Sequence, residues 1–249
     1  MKTILITGAT SGIGKSTAEL LAKQGNRIII CGRRHEVLES VKTELSAFTE
    51  IFSLKFDVSH LEEVEMAINS LPEEWKNIDV LINNAGNAHG LAPLSAGNTN
   101  DWDFMIDGNV KGLLYVSKMI IPKMKERNSG HIVNISSVAA KQTYINGVVY
   151  CATKKAVDVI SEGMRLELTE FGVRVTNIQP GAVETDFSLV RFKGDQERAA
   201  TVYAGYKALK SEDIADAIAY CVNAPDHITV SDMTIYPSAQ SEPRTIYRK

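Results

Sequence analysis

Short apolar runs alternate along the chain with longer stretches in which apolar residues recur at helical spacing. Several short runs are continuous, such as Ile28–Ile30 and Val80–Ile82, which is typical of strands buried on both faces of a parallel sheet. The predicted strands are Thr3–Thr7, Arg27–Cys31, Ile51–Phe56, Val80–Asn83, His131–Ile135, Val173–Ile178 and Met233–Tyr236. The predicted helices are Ile13–Gln24, Glu36–Leu45, Leu61–Leu71, Asp103–Lys125, Val149–Phe171 and Asp213–Val222. This alternation predicts an α/β fold with a doubly wound, seven-stranded parallel sheet and helices on both faces.

The chain contains no internal repeat, low-complexity tract or linker, so residues 1–249 are predicted to form a single domain. The one long segment without regular periodicity runs from Pro180 to Lys210. Loops of that length in a compact domain are usually functional, and we expect residues 182–210 to cover a substrate. Residues 237–249 form the predicted C-terminal tail.

Composition narrows the class of protein. Of the 249 residues, 44% are hydrophobic and 23% are charged, which excludes a disordered or disulfide-dense chain. The formal net charge of −3 offers no basic surface for nucleic acid or anionic lipid. No apolar run approaches the ~20 residues that cross a bilayer. The three cysteines and five histidines lack the spacing of a disulfide framework or a metal site, so we expect a cytoplasmic, metal-free protein.

A glycine-rich turn follows the first predicted strand and opens the first helix. Its sequence, Thr7-Gly8-Ala9-Thr10-Ser11-Gly12-Ile13-Gly14, lets backbone N–H groups approach a pyrophosphate, and the helix N-terminus adds a partial positive charge. A glycine cluster alone is also compatible with an ordinary turn, but this one has the strand and helix context that dinucleotide binding requires. The predicted dinucleotide-binding residues here are Gly8, Thr10, Ser11, Gly12, Ile13 and Gly14.

The end of the second predicted strand indicates which dinucleotide binds. Enzymes that use NAD tend to place an acidic residue there, whereas this strand is followed by Arg33 and Arg34. Guanidinium groups stay charged and pair bidentately with phosphate. The alternative is a solvated pair of arginines at a helix start, a place that the helix dipole makes unfavourable for cations. We therefore expect NADP, with both arginines at its 2′-phosphate.

A Tyr-x-x-x-Lys spacing occurs three times, and the context separates the three matches. They are Tyr150/Lys154, Tyr203/Lys207 and Tyr206/Lys210. Only Tyr150 has a serine thirteen residues upstream, Ser137, at the end of a predicted strand, where ligands bind in such sheets. Residues four apart share a helical face, so Tyr150 and Lys154 can point into one cleft. We expect Lys154 and an oxidised nicotinamide to lower the pKa of the Tyr150 phenol for proton transfer, and Ser137 to orient the substrate oxygen.

Together these motifs resemble the short-chain dehydrogenase/reductase family, and the resemblance covers essentially the whole chain. It implies a Rossmann-fold oxidoreductase, usually a homotetramer or dimer. It also implies roles for residues that follow other strands. Asp57 and Val58 would lie at the adenine, Asn84, Ala85 and Gly86 against the cofactor, and Pro180, Gly181, Val183 and Thr185 beside the nicotinamide. Asn109 would tie a kinked helix to a water chain that reaches Lys154, which would also hold the nicotinamide ribose. Asp57 also has the position of a simple turn or cap residue.

Further stretches are similar to the NADP-dependent 3-hydroxy acid dehydrogenases, which are also called serine or L-allo-threonine dehydrogenases. These stretches are Leu71-Pro72-x-Glu74-Trp75, Asp101-Trp102, Asp186–Ser188, Val190–Asp195 and Pro237-x-x-Gln240-Ser241. The resemblance implies a small 3-hydroxy acid substrate, whose carboxylate needs a cation; Arg191 is the first candidate and Lys193 the second. The segment Gly181–Asp186 departs from the glycine-rich form common in that subfamily. A 3-oxoacyl carrier-protein reductase, a general carbonyl reductase and an NADP-binding regulator without turnover stay open as alternatives.

Overall fold

The computed structural model describes every residue from Met1 to Lys249. The strands are β1 (Thr3–Thr7), β2 (Arg27–Gly32), β3 (Ile51–Lys55), β4 (Val80–Asn83), β5 (Gly130–Ile135), β6 (Val173–Pro180), β7 (Val183–Glu184), β8 (Leu209–Lys210) and β9 (Asp232–Ile235). The α-helices are α1 (Gly12–Lys23), α2 (His35–Leu45), α3 (Leu61–Asn69), α4 (Thr99–Ile106), α5 (Gly112–Glu126), α6 (Val148–Leu168), α7 (Phe187–Arg191), α8 (Gln196–Tyr203) and α9 (Ser211–Asn223). No helix is both long enough and apolar enough to span a membrane.

Seven parallel strands form the central sheet in the order β3-β2-β1-β4-β5-β6-β9. The direction of winding reverses between β1 and β4, where Ile4 pairs with Val80 and Ile6 with Ile82. Because connections leave these two strands toward opposite faces, a crevice opens beyond their carboxyl ends. The glycine-rich turn after β1 and the Asn84 segment after β4 border this crevice.

Alternation of side chains along each strand builds two cores. In β1, Ile4 and Ile6 pack in the core under α1, α2 and α9, whereas Leu5 packs in the core under α3, α5 and α6. Both faces of the sheet are covered, which explains why the strands are apolar at consecutive positions. The prediction of a doubly wound, seven-stranded parallel sheet is therefore confirmed.

The structure corrects two predictions about individual elements. The single helix predicted over 103–125 is divided into α4 and α5 by a π-helical turn over Asp107–Lys111. The segment from Pro180 to Lys210, predicted as irregular, contains α7, α8 and a two-stranded ladder of β7 with β8. Both helices in that segment are short, with five and eight residues, so hydrophobic periodicity alone does not reveal them.

Candidate active site

Ser137, Tyr150 and Lys154 converge at the carboxyl end of β5. The Ser137 hydroxyl accepts a hydrogen bond from the Ala139 N–H at 3.1 Å and lies 3.5 Å from the Pro180 carbonyl. Tyr150 and Lys154 lie one turn apart on α6, and their exposed fractions are only 8% and 6%. Ser137 lies close enough to the Tyr150 hydroxyl to favour a lower pKa of this phenol. The structure thus brings these three sequence-predicted residues together at one end of the sheet.

Burial shifts the pKa values of both Tyr150 and Lys154. The Lys154 ammonium donates to the Ile135 carbonyl at 3.0 Å and lies 5.9 Å from the centre of the Tyr150 ring. Burial lowers the pKa of Lys154 to about 8. Burial also raises the pKa of the Tyr150 phenol, and the nearby Ser137 side chain and the charge of Arg191 oppose this rise only in part. A lowered phenol pKa therefore requires positive charge in addition to Lys154.

The neighbours of the predicted residues point elsewhere. The Ser136 hydroxyl is buried and donates to the Lys154 carbonyl at 2.9 Å, so it ties β5 to α6. Lys155 is exposed and lies 3.9 Å from Asp158. Tyr203, the tyrosine of a second Tyr-x-x-x-Lys match, ends α8 and donates its hydroxyl to the Val183 carbonyl at 2.8 Å.

Asn109 lies inside the π-helical turn and faces the site. Its side chain accepts a hydrogen bond from the Asn87 N–H at 2.7 Å and donates to the Asn87 carbonyl at 2.8 Å and the Thr153 hydroxyl at 3.0 Å. A Cβ on Gly86 would lie 3.1 Å from Asn109 Oδ1 and 3.3 Å from Lys154 Nζ. The small size of Gly86 therefore lets the Asn109 amide and the Lys154 ammonium both lie close to its backbone.

The glycine-rich turn forms a cradle that side chains would fill. Gly8 and Gly12 adopt positive φ angles of 66° and 51°, and a Cβ on Gly14 would overlap the Gly8 carbonyl. Asn84 holds the turn closed, since its amide donates to the Thr7 carbonyl at 2.9 Å and to the Gly8 carbonyl at 3.1 Å. No side chain caps the N-terminus of α1, so its N–H groups are free for an anion. This arrangement fits a dinucleotide pyrophosphate.

Arg33 and Arg34 flank the open end of this cradle. The Arg33 side chain is 70% exposed and lies 3.4 Å from the Asp57 carboxylate. Arg34 donates to the Thr10 hydroxyl at 3.3 Å. Both guanidinium groups have further N–H donors that fit a ribose phosphate. Asp57 also accepts bonds from the Ser59 N–H at 3.0 Å and hydroxyl at 2.7 Å, so it is a turn residue as well, as the sequence allowed.

The loop after β6 brings the remaining predicted residues to the cradle. The Gly181 N–H donates to the Ile235 carbonyl at 2.7 Å, which extends the sheet past Pro180. Thr185 lies against the glycine turn, with its methyl group 3.4 Å from the position of a Cβ on Gly12. The side chains of Ile13 and Val183 pack against one hydrophobic core, and that of Val58 packs against the other. These three side chains therefore stabilise the fold.

Arg191 lies in the wall of an open cleft that Tyr150 also lines. Its guanidinium lies 5.5 Å from the centre of the Tyr150 ring. Lys193 instead forms an ion pair with Asp101 at 2.9 Å. Of the two loop cations singled out by the sequence, the structure brings Arg191 to the candidate site.

Sequence reasoning missed three residues that shape this site. The Thr7 hydroxyl accepts hydrogen bonds from the N–H groups of Asn84 and Ala85, both at 3.0 Å. The Tyr144 hydroxyl accepts one from Arg191, and Gln240 of the tail accepts one from the Ala182 N–H at 2.8 Å. Each acts across a long sequence separation. Thr7 begins the glycine-rich motif and Gln240 lies in a stretch of family resemblance, whereas nothing in the sequence singled out Tyr144.

Comparison with known proteins defines the class. The family profile for short chain dehydrogenases matches residues 2–195. An NADP-dependent 3-hydroxy acid dehydrogenase of Salmonella typhi is 43% identical over 239 residues, which cover 96% of each chain. The protein therefore belongs to the short-chain dehydrogenase family, and it is an enzyme of that family.

Two further relatives are serine dehydrogenases. The serine 3-dehydrogenase of Rhizobium radiobacter is 42% identical over 96% of this chain and 95% of its own. The closed form of serine dehydrogenase complexed with NADP+ superposes with a TM-score of 0.92 at 42% identity, over 96% of both chains. The family resemblance and the Rossmann-type fold predicted from the sequence are both confirmed.

Proposed function

We propose that the protein is an NADP(H)-dependent oxidoreductase that interconverts the 3-hydroxyl and 3-oxo forms of a small 3-hydroxy acid. Serine, allo-threonine and 3-hydroxybutyrate are the substrate types. The observation that carries the proposal is the cleft in which Tyr150, one helical turn from Lys154, meets the guanidinium of Arg191. The names of the relatives agree with this substrate class.

The cofactor in this proposal is NADP. The cradle of Gly8, Gly12 and Gly14 binds its pyrophosphate together with the free N-terminus of α1, and Arg33 and Arg34 bind its 2′-phosphate. The remaining cofactor contacts in this proposal are with Thr10, Ser11, Ile13, Asp57, Val58, Asn84, Ala85, Gly86, Pro180, Gly181, Val183 and Thr185. When bound, the nicotinamide would supply the hydride acceptor for oxidation and, in its reduced form, the hydride donor for reduction.

The protein's own residues handle the proton. Tyr150 takes the proton of the substrate hydroxyl in oxidation and donates it to the substrate oxygen in reduction. Ser137 donates a hydrogen bond to that same oxygen and fixes its distance from the phenol. Protonated Lys154 stabilises the Tyr150 phenolate and holds the nicotinamide ribose, and Asn109 connects Lys154 to water through the π-helical turn.

The substrate's carboxylate pairs with Arg191. A carboxylate in a partly closed cleft is costly without a cation, and a planar guanidinium can hold both of its oxygens. The guanidinium lies 5.5 Å from the centre of the Tyr150 ring, so a carboxylate bound to it would lie beside the phenol.

The protein assembles into a homotetramer in this proposal and acts in the cytoplasm. Exposed apolar side chains on α5 and α6 support assembly, namely Leu114, Val159 and Leu166, the last with an exposed fraction of 80%. The three cysteines are free and buried, which agrees with a reducing compartment. Light scattering of the purified protein, with Leu166→Glu as a variant that dissociates the assembly, tests the oligomeric state.

Change in NADPH absorbance with a panel of substrates tests the function. We expect turnover with serine, allo-threonine or 3-hydroxybutyrate to exceed that with 3-oxoacyl thioesters and neutral ketones. Preference for thioesters would instead identify a carrier-protein reductase, and preference for neutral ketones a general carbonyl reductase. Cofactor binding without any turnover would identify a regulator.

A further inference from the structure

Asp158 is a half-buried carboxylate that the chemistry proposed above does not use. It lies on α6 four residues after Lys154, and its side chain is only 14% exposed. Residues four apart on a helix lie on one face, so this carboxylate and the Lys154 ammonium lie on the same side of α6. That side packs against the end of β5 and against β6.

Two amides of β6 hold the Asp158 carboxylate in place. Asn177 donates to Asp158 Oδ1 at 2.8 Å, and Gln179 donates to the same oxygen at 3.0 Å. The Gln179 amide is itself oriented, because its oxygen accepts a bond from the Thr234 hydroxyl at 2.7 Å. Asn177 also donates to Asp232 on β9 at 3.0 Å. The carboxylate is therefore fixed by donors on the sheet rather than left to move with solvent.

The charged groups around this pair are few. Lys155, on the same helix, approaches Asp158 at 3.9 Å, but it is 63% exposed and screened by water. Asp232 pairs with Arg165 at 3.2 Å. Lys154 meets Tyr150 on α6 and the carbonyl of Ile135 on β5. It also lies near the Asn109 amide of the π-helical turn. Among these groups, Asp158 supplies the negative charge that opposes the loss of the Lys154 proton.

We propose that Asp158 is a positioning residue for Lys154, and that its fixed carboxylate keeps the neighbouring ammonium protonated inside the buried site. A neutral amine at Lys154 cannot stabilise a phenolate at Tyr150. Burial alone drives the pKa of Lys154 downward, and the Asp158 charge acts against this effect. The amides of Asn177 and Gln179 support this arrangement, since they hold the carboxylate on the side of α6 that also carries Lys154.

Direct titration of Lys154 tests the proposal without any assumption about the substrate. The Cε resonance of Lys154 is followed by NMR in protein labelled with ¹³C-lysine, and it is assigned by its absence in Lys154→Met. We expect Asp158→Asn to move the titration midpoint down by about one pH unit. Where substrate is turned over, the alkaline limb of the kcat profile should move in the same direction.

Asp232→Asn is the matched control. It removes the other carboxylate bound by Asn177 and the partner of Arg165, so it disturbs the same network away from Lys154. We expect it to leave the Lys154 midpoint unchanged. Equal midpoints in Asp158→Asn and wild type, or an equal lowering in both variants, would overturn the proposal.

The unsubstituted protein offers a second measurement, which stands even where Asp158→Asn does not fold. The Cγ resonance of Asp158, assigned through backbone experiments, should pass through a step at the pH at which Lys154 titrates. Because a change of charge on one group shifts the resonance of a close neighbour, a flat Asp158 signal through that pH would contradict the proposal.

Discussion

The Tyr144 hydroxyl accepts a hydrogen bond of 2.9 Å from the Arg191 guanidinium. Tyr144 precedes α6, and Arg191 ends α7, so this bond joins the wall of the cleft to the segment that covers it. The Tyr144 ring has room because residue 147 is glycine, where a Cβ would overlap the ring. Arg191 is thereby held on the side of the cleft that contains the Tyr150 ring, at 5.5 Å from its centre.

We expect Arg191→Met to raise KM for serine or 3-hydroxybutyrate. Loss of a hydrogen bond to a charged group costs about 1.5–3 kcal/mol, or roughly 10- to 100-fold in kcat/KM. Reduction of an uncharged ketone should be almost unchanged, because that substrate has no carboxylate. Tyr144→Phe should cause a smaller change in the same direction, since it frees Arg191 without removing it. Steady-state kinetics with both substrates measure these effects.

Lys193→Met is the control for disorder of the loop. Lys193 lies two residues from Arg191 but pairs with Asp101, so its loss should leave the preference for acids intact. Equal damage to charged and uncharged substrates in Arg191→Met would remove this residue from the site.

We expect the double variant Arg33→Ala with Arg34→Ala to raise KM for NADP far more than for NAD. Each lost contact between a guanidinium and the 2′-phosphate should cost about 1.5–3 kcal/mol. NAD lacks that phosphate, and it therefore serves as the control in the same variant. Were both cofactors weakened equally, the two arginines would not recognise the 2′-phosphate.

We expect Tyr150→Phe to abolish turnover and to leave NADPH binding, measured by fluorescence, nearly intact. The phenol carries the proton, whereas cofactor affinity is spread over the glycine turn, the two arginines and Lys154. Tyr206→Phe is the matched control, because Tyr206 has the same spacing to a lysine and its hydroxyl has no hydrogen-bond partner. Comparable kcat values for the two variants would show that the wrong Tyr-x-x-x-Lys match had been chosen.

The parts of this protein that could be predicted from sequence are those fixed by local pattern. Continuous apolar runs such as Ile28–Ile30 predicted buried parallel strands, and the turn after β1 predicted a cradle because its glycines let backbone N–H groups approach a pyrophosphate. The offset of thirteen residues between Ser137 and Tyr150 separated this tyrosine from Tyr203. That separation agrees with the structure, in which the Tyr203 hydroxyl bonds to the carbonyl of Val183.

The parts that escaped prediction depend on contacts between distant residues. The π-helical turn at Asn109 has no periodicity of its own, because a single widened turn leaves the apolar pattern on both sides helical. Gln240 closes on the Ala182 N–H across 58 residues, and Asp158 meets amides of β6 that only the sheet brings near. Such contacts cannot be read from the sequence of either segment, because only the folded chain brings the two partners together.

We expect the stability of the protein to fall on mild acidification because of His131, which is 2% exposed on β5. Burial, together with the charges of Arg174 and Lys2, lowers the pKa of His131 to about 3. In the unfolded chain a histidine takes up a proton near pH ~6.5, so the unfolded state binds one more proton between that pH and 3. The free energy of unfolding should therefore decrease in this window as the pH falls, by up to about 1.4 kcal/mol per pH unit from this group.

Urea unfolding at a series of pH values measures the slope, which His131→Gln should make shallower. His60→Gln, at an exposed histidine, should leave the slope as it is, and identical slopes for wild type and His131→Gln would assign the acid sensitivity to other groups.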